Sequence, residues 1–229
     1  MSNVTVYGFN GSTFVRTVRM LLIEKGVTGY AFHAVNLTEG AQKSTVHLAR
    51  HPFGRVPVLD VDGFRVIETQ AITRFLDAVL PGPALVPPEA KDAARMDMAV
   101  SILNSYGYEA MVFRVAGCHL FPEFTGGKDE DRHQKGLADA PQVINMLMGL
   151  KSASPYIAGN ATSIADLYFA PIFDYVAMTP HKDEFLGRAD FETWWSGDLW
   201  ARQLQEKRPA HAAHHLGMKM AASWNEERL

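Results

Sequence analysis

The run VPVLDVDGFRVIE, residues 56–68, constrains the fold more than any other stretch of the chain. Two short β-rich segments are joined there by Asp62-Gly63. An Asp-Gly pair between such segments favours a type I′ turn, whose central residues both need positive φ, so the segments pair as a hairpin. The flanking sequence says what else the sheet holds. Residues 3–9 (NVTVYGF) are β-branched and aromatic and read as a buried strand. From Thr13 the pattern changes: Phe14, Val15, Val18, Leu21 and Leu22 recur at helical spacing until Gly26 stops the run. AFHAVNL (31–37) gives a second strand, residues 43–50 a short helix, and TQAITRFLDAVL (69–80) a further helix with Thr69 as its N-cap. The order βαβ, short α, ββα is that of a small mixed sheet with helices packed on it.

PGPALVPPEA (81–90) holds four of the twelve prolines and reads as a linker. Beyond it no strand pattern follows. ARMDMAVSILNSYGYEAMVFRV, DAPQVINMLMGL, SIADLYFAPIFDYVAM and WWSGDLWARQLQEK are helix-like, with Pro141 and Pro171 expected to start or kink helices. The expected fold is therefore α/β followed by all-α: a first unit over 1–80, a linker over 81–90 and a helical unit over 91–229.

Composition closes off several functions. The 229 residues are 47% hydrophobic and 21% charged with a net charge of −3, which points away from nucleic acid or an anionic membrane as the main partner. The single cysteine, Cys118, excludes an intramolecular disulfide, a CxxC pair and a Cys-rich metal site, and reads as a small buried apolar residue. No run reaches the roughly 20 apolar residues of a membrane span. The opening MSNVTVYGF lacks the pattern of a signal peptide, so a cytoplasmic protein is expected. His211, His214 and His215 could share one helical face, but no acidic or cysteine ligand stands near them; solvated histidines and no metal are expected.

Three places could carry chemistry. Ser12 stands between the first strand and the first helix, where it either caps the helix or presents a hydroxyl. Val56-Pro57 opens a strand, where proline cannot donate to the ladder. A cis bond there would turn the Val56 backbone outward to pair with a bound peptide as a short extra strand; a trans proline at a strand start is the commoner arrangement. Glu68-Thr69 ends the hairpin and opens a helix. Thr69 and the free N–H groups behind it suit a carboxylate, and Glu68 an ammonium, so the pair fits an α-amino acid head group. A plain cap beside a solvated Glu is the alternative.

In order along the chain, YGFNGSTFVRTVR (7–19), HLARHPFGRVPVL (47–59), the pair Glu68-Thr69 and the capping-box tetrapeptide Ser163-Ile164-Ala165-Asp166 resemble the glutathione transferases, and among them the serine-type, phi-like class. The resemblance implies a thioredoxin-like N-terminal domain, an all-helical C-terminal domain and a homodimer, with glutathione as co-substrate. By position it places Val56 before a cis Pro57 against the cysteinyl backbone of glutathione, Glu68 and Thr69 at the γ-glutamyl end, and His47 and Arg55 at the glycyl carboxylate. Ser12 matches the catalytic serine; Thr13, one residue on, and Tyr7, at the end of the first strand as in tyrosine-type members, are the other hydroxyls that could serve. Two residues depart from the family pattern: His51 stands where Asn commonly precedes Pro-Phe-Gly, and Arg55 replaces Gln or Lys, though Arg is a competent carboxylate partner.

A free thiol of pKa ~8.5 is only about 3% thiolate at pH 7. Lowering that pKa by roughly two units, about 2.7 kcal/mol, makes the thiolate the main species. A hydroxyl donating to sulfur at a helix N-terminus supplies stabilisation of this kind, so Ser12 would itself attack nothing. No GxSxG elbow is present for a serine nucleophile. Arg16 would add at most a minor positive field. The expected pocket for a hydrophobic electrophile is walled by Phe9, Asn10, Phe14 and Leu37 and by Tyr106, Tyr108, Met111, Val112 and Val115 of the first long helix of the second half. Two other functions use the same residues: glutathione-dependent isomerisation, dehalogenation or ether cleavage, and non-enzymatic carriage of apolar ligands.

Overall fold

The computed structural model of the chain describes residues 3–151 and 153–187, together with Phe191 and Trp194. The helix expected over 194–207 lies outside the described residues apart from Trp194, as does the segment holding His211, His214 and His215.

Four strands, β1 (Val4–Gly8), β2 (Ala31–Ala34), β3 (Val58–Val61) and β4 (Phe64–Ile67), form one sheet in the order β2-β1-β3-β4. β1 runs parallel to β2 and antiparallel to β3, which pairs with β4 across the hairpin. Asp62 and Gly63 take φ of 50° and 84°, the positive pair that a type I′ turn requires. β2 is shorter than expected, because Leu37 enters a 3₁₀ turn whose Asn36 side chain accepts the Thr38 N–H at 3.1 Å. The register decides where the loops meet. Gly8 lies opposite Ala34, Tyr7 opposite Val58, and Val58 opposite Ile67. The loop to Ser12, the turn to Leu37, Val56-Pro57 and Glu68-Thr69 therefore all lie at one end of the sheet.

Helix α1 (Thr13–Glu24) stops as its sequence asks. Gly26 takes φ of 70° and donates to Ile23 O, while Val27 N–H reaches Leu22 O, both at 2.8 Å; this is a Schellman closure. The short α2 (Thr45–Leu48) follows, then α3 (Thr69–Val79). Thr69 is the first helical residue rather than the N-cap: Glu68 holds that position at φ 67° and makes no side-chain capping bond. Between Val79 and Ala90 there is neither helix nor strand, yet the segment is pinned. The Asp77 carboxylate accepts the N–H groups of Leu85 and Val86 at 2.8 and 3.1 Å and pairs with the buried Lys25 Nζ at 2.6 Å.

From α4 (Ala90–Ile102) the helix continues without a break through wide π-type turns over Leu103–Ala116 into α5 (Gly117–Leu120). Gly117 N–H donates to Val112 O, five residues back. α6 (Glu130–Lys151), α7 (Ile164–Ala177) and α8 (Lys182–Leu186) complete the described helices. Among the described residues none is long and apolar enough to cross a membrane. Pro141 and Pro171 start no helix; each lies inside one. In α7 the reason is visible. Pro171 removes the donor that would meet Leu167 O, and the Thr17 hydroxyl of α1 lies 3.2 Å from that carbonyl, its one proton shared with Thr13 O at 3.0 Å in its own helix.

All fourteen residues of α7 are buried, and one continuous core runs from Val4 and Val6 through Leu21, Ile72 and Leu76 to Phe169 and Phe173. The expected capping box anchors its start. Asp166 accepts Ser163 N–H at 2.9 Å and Ser163 Oγ–H at 2.7 Å, and also Ile157 N–H at 2.9 Å and Trp194 Nε1–H at 2.8 Å. Burial pushes the Asp166 carboxyl above the usual carboxylate range, opposed by these four donors.

Candidate active site

The loop from Gly8 to Ser12 is tight. Ser12 N–H donates to Phe9 O at 2.9 Å, and a Cβ on Gly11 would fall 2.7 Å from the Phe9 ring. Helix α7 grips this loop: Tyr175 O–H donates to Gly11 O, and Asp174 pairs with Arg16 at 2.7 Å. Arg16 is thus committed to joining α1 with α7. Ser12 is the N-cap of α1, and its Oγ accepts Val15 N–H at 3.4 Å, a long bond that leaves the hydroxyl proton free for another acceptor. Among the described residues no hydrogen bond uses the N–H of Thr13 or Phe14, and the first turn carries no acidic side chain. The positive end of the helix is uncompensated there, which suits an anion.

The three candidate hydroxyls are placed very differently. Ser12 borders a cavity between the sheet end and the second-half helices. Thr13 borders the same cavity, but its Oγ1 is shut off from solvent and has no hydrogen-bond partner. Tyr7 does not reach it. Its ring stacks on His33 at 5.1 Å with the Arg50 guanidinium 4.4 Å from the ring centre.

Of the expected electrophile-pocket residues, Phe9, Leu37, Tyr108 and Val112 line this cavity. The other expected residues do not line it. Asn10 accepts from Arg19 at 2.8 Å, Phe14 stacks on Tyr108 at 5.0 Å, Met111 and Val115 are fully buried in the core, and Tyr106 is 64% exposed. The wide turns over Leu103–Ala116 carry the apolar face round more slowly than ordinary helical spacing assumes, so residues chosen at that spacing fall on different faces. Sequence reasoning missed Phe121, Phe124 and Tyr175. The aromatic pair flanking the helix-breaking Pro122 was the one available signal. Burial lifts the Tyr108 phenol above its ordinary pKa.

The second cluster sits along the same end of the sheet. The Val56-Pro57 bond is cis, and no hydrogen bond to another backbone group uses Val56 N–H or C=O among the described residues. Glu68, at φ 67°, lies where a non-glycine residue costs about 1–3 kcal/mol; its side chain is 65% exposed. Behind it His51 is buried with Nε2 3.8 Å from Glu68 Oε1, and burial above all holds its pKa below the ordinary histidine value. His47, expected at the glycyl carboxylate, is buried. His47 faces inward, with Nε2 2.8 Å from Arg55 O, and so supports the loop from which the exposed Arg55 projects.

Residues 2–78 match the family described as glutathione S-transferase, N-terminal domain. Over 210 residues the chain is 26% identical to glutathione S-transferase F7 of Arabidopsis thaliana, covering 90% of this chain and 99% of that one. The crystal structure of poplar glutathione transferase F1 superposes with a TM-score of 0.78 at 26% identity, covering 91% of this chain and 99% of the other. A glutathione S-transferase-I solved with the ligand lactoylglutathione superposes at 0.77 with 23% identity, over 89% and 97% of the two chains. With its mixed sheet, the cis proline beside a free backbone edge and the capped helix at the cavity mouth, the chain matches the glutathione S-transferase N-terminal domain over residues 2–78, and along most of its length it is similar to plant F-type glutathione transferases.

Proposed function

We propose that the protein is a glutathione transferase in which Ser12 holds the sulfur of glutathione as a thiolate and delivers it to a hydrophobic electrophile. The observation that carries this reading is the Ser12 hydroxyl at the mouth of α1, on a cavity wall, beside the uncommitted N–H groups of Thr13 and Phe14. Ser12 keeps its own proton and donates a hydrogen bond to the anion. The sulfur lone pair forms the new C–S bond, and in a displacement the leaving group departs with the bonding pair. In an addition the former double-bond pair takes up a proton from water.

The rest of glutathione lies along the sheet end. The free Val56 backbone pairs with the cysteinyl unit, Glu68 and the start of α3 at Thr69 take the γ-glutamyl ammonium and carboxylate, and Arg55, steadied by His47, meets the glycyl carboxylate. A relative solved with lactoylglutathione supports a glutathione-shaped ligand here. Phe9, Leu37, Phe121 and Phe124 make the facing wall apolar, which favours a hydrophobic partner. We further propose a linker over 81–90 between two domains, a cytosolic location and a homodimer, for which exposed Phe53 and Phe64 offer apolar surface.

The test is binding to immobilised glutathione, followed by conjugation to a chloronitrobenzene with wild type and Ser12→Ala. Retention on the column with turnover that collapses in the variant supports the reading. A neutral Ser12→Ala beside a crippling Tyr7→Phe overturns it.

A further inference from the structure

Away from the Ser12 cavity, three histidines from separate helical elements converge: His119 in α5, His133 in α6 and His181 at the start of α8. One ring nitrogen of each lies within 4.8 Å of the other two. The Nε2 atoms of His119 and His133 are 3.2 Å apart, close to the roughly 3.3 Å edge that a tetrahedral ion with bonds of about 2.0–2.1 Å imposes on two ligands. Carboxylates stand behind two of the rings. His181 Nδ1 is 3.1 Å from Glu184 Oε2, and His133 Nδ1 is 3.9 Å from Glu130 Oε1. A carboxylate on Nδ1 fixes the ring's orientation and leaves Nε2 as the basic nitrogen, the usual support of a metal-bound histidine. A cavity of about 390 Å³ opens onto His119 and His133, lined also by Cys118, Asp129, Glu130 and Lys128; the Cys118 thiol donates to Asp129 O at 3.6 Å and stands outside the histidine triad.

We propose that His119, His133 and His181 bind a zinc ion, with the fourth position left to a water in the adjoining cavity. Three neutral imidazoles and no thiolate or multiple carboxylates select a borderline ion over calcium or magnesium. The ion ties α5, α6 and α8 together directly behind the turn that carries Phe121 and Phe124 to the active-site cavity. The ligands are far apart in the sequence and follow no spacing motif, so the expectation of a metal-free protein had nothing to set against it. The site is independent of the glutathione reading.

The test uses the full-length protein stripped with a chelator, then titrated with Co²⁺ as an optical probe and with Zn²⁺ in competition. One equivalent should bind per chain and give the visible absorption of tetrahedral cobalt, and Zn²⁺ should displace it. His133→Gln should weaken Zn²⁺ binding at least a hundredfold. Glu184→Gln, on an exposed side chain, should weaken it about tenfold. The variant with His211, His214 and His215 all changed to Ala should bind as wild type does. Affinity that follows the tail histidines, affinity indifferent to Glu184→Gln and His133→Gln, or no saturable binding overturns the site.

Discussion

Asp166→Ala is the substitution whose cost follows most directly from the packing. Asp166 is wholly buried and accepts from Ile157 N–H, Ser163 N–H, Ser163 Oγ–H and Trp194 Nε1–H, all between 2.7 and 2.9 Å. Truncation strands four donors in the core, and each unsatisfied buried donor costs about 1–3 kcal/mol. Removing the carboxylate also removes its own burial penalty of several kcal/mol, which offsets part of the loss. The net expected destabilisation is about 3–5 kcal/mol, at the upper end of single-substitution effects and carried by the neutral donors left unpaired. For a chain of this size that lowers Tm by about 6–20 °C, at roughly 2–4 °C per kcal/mol. Asp166→Asn should recover little, because its amide turns two further donors toward donors. Because α7 also carries Asp174 and Tyr175, which hold the Ser12 loop, activity should fall with stability in both variants. Thermal and urea unfolding measure the effect. A change under about 1 kcal/mol in Asp166→Ala, or wild-type stability in Asp166→Asn, would show that the four-donor cluster does not anchor α7.

Thr17→Val removes the hydroxyl whose proton is shared between Thr13 O at 3.0 Å and Leu167 O at 3.2 Å while keeping the shape, so a loss of about 0.5–1.5 kcal/mol is expected in urea unfolding; unchanged stability would mean the Pro171 gap is satisfied otherwise. His51, whose folded pKa lies below its ordinary value, gives a pH signature. Below about pH 6.5 the unfolded chain takes up a proton that the folded chain resists, so this contribution to stability is complete above that pH and is lost as the pH falls. His51→Asn should flatten that part of the stability–pH profile, and a profile as steep as wild type would assign the dependence to other groups.

The sheet was legible because its signals are local. Asp62-Gly63 specified its turn, Gly26 its helix stop, and Ser163 with Asp166 a capping box, each with its reason inside a few residues. Val56-Pro57 and Glu68 were legible as a pair of positions, though Glu68 took the cap place expected of Thr69. What escaped was non-local. The wide turns over Leu103–Ala116 leave no mark in an apolar pattern read at ordinary helical spacing, which favours Met111 and Val115 for the cavity and gives no sign of Phe121 and Phe124. Pro171 reads as a boundary in the sequence because the compensating donor, Thr17, lies 150 residues from Leu167, whose carbonyl it meets. The histidine cluster was invisible for the same reason.

The decisive observable is the ionisation of the bound thiol, followed by ultraviolet difference titration of the thiolate in the glutathione complex of the wild-type chain. With Ser12 and the free end of α1 solvating the sulfur, half-ionisation should fall about two units below the ~8.5 of a free thiol and move back toward that value in Ser12→Ala. A bound thiol that ionises no more readily than free glutathione would contradict the role given to Ser12.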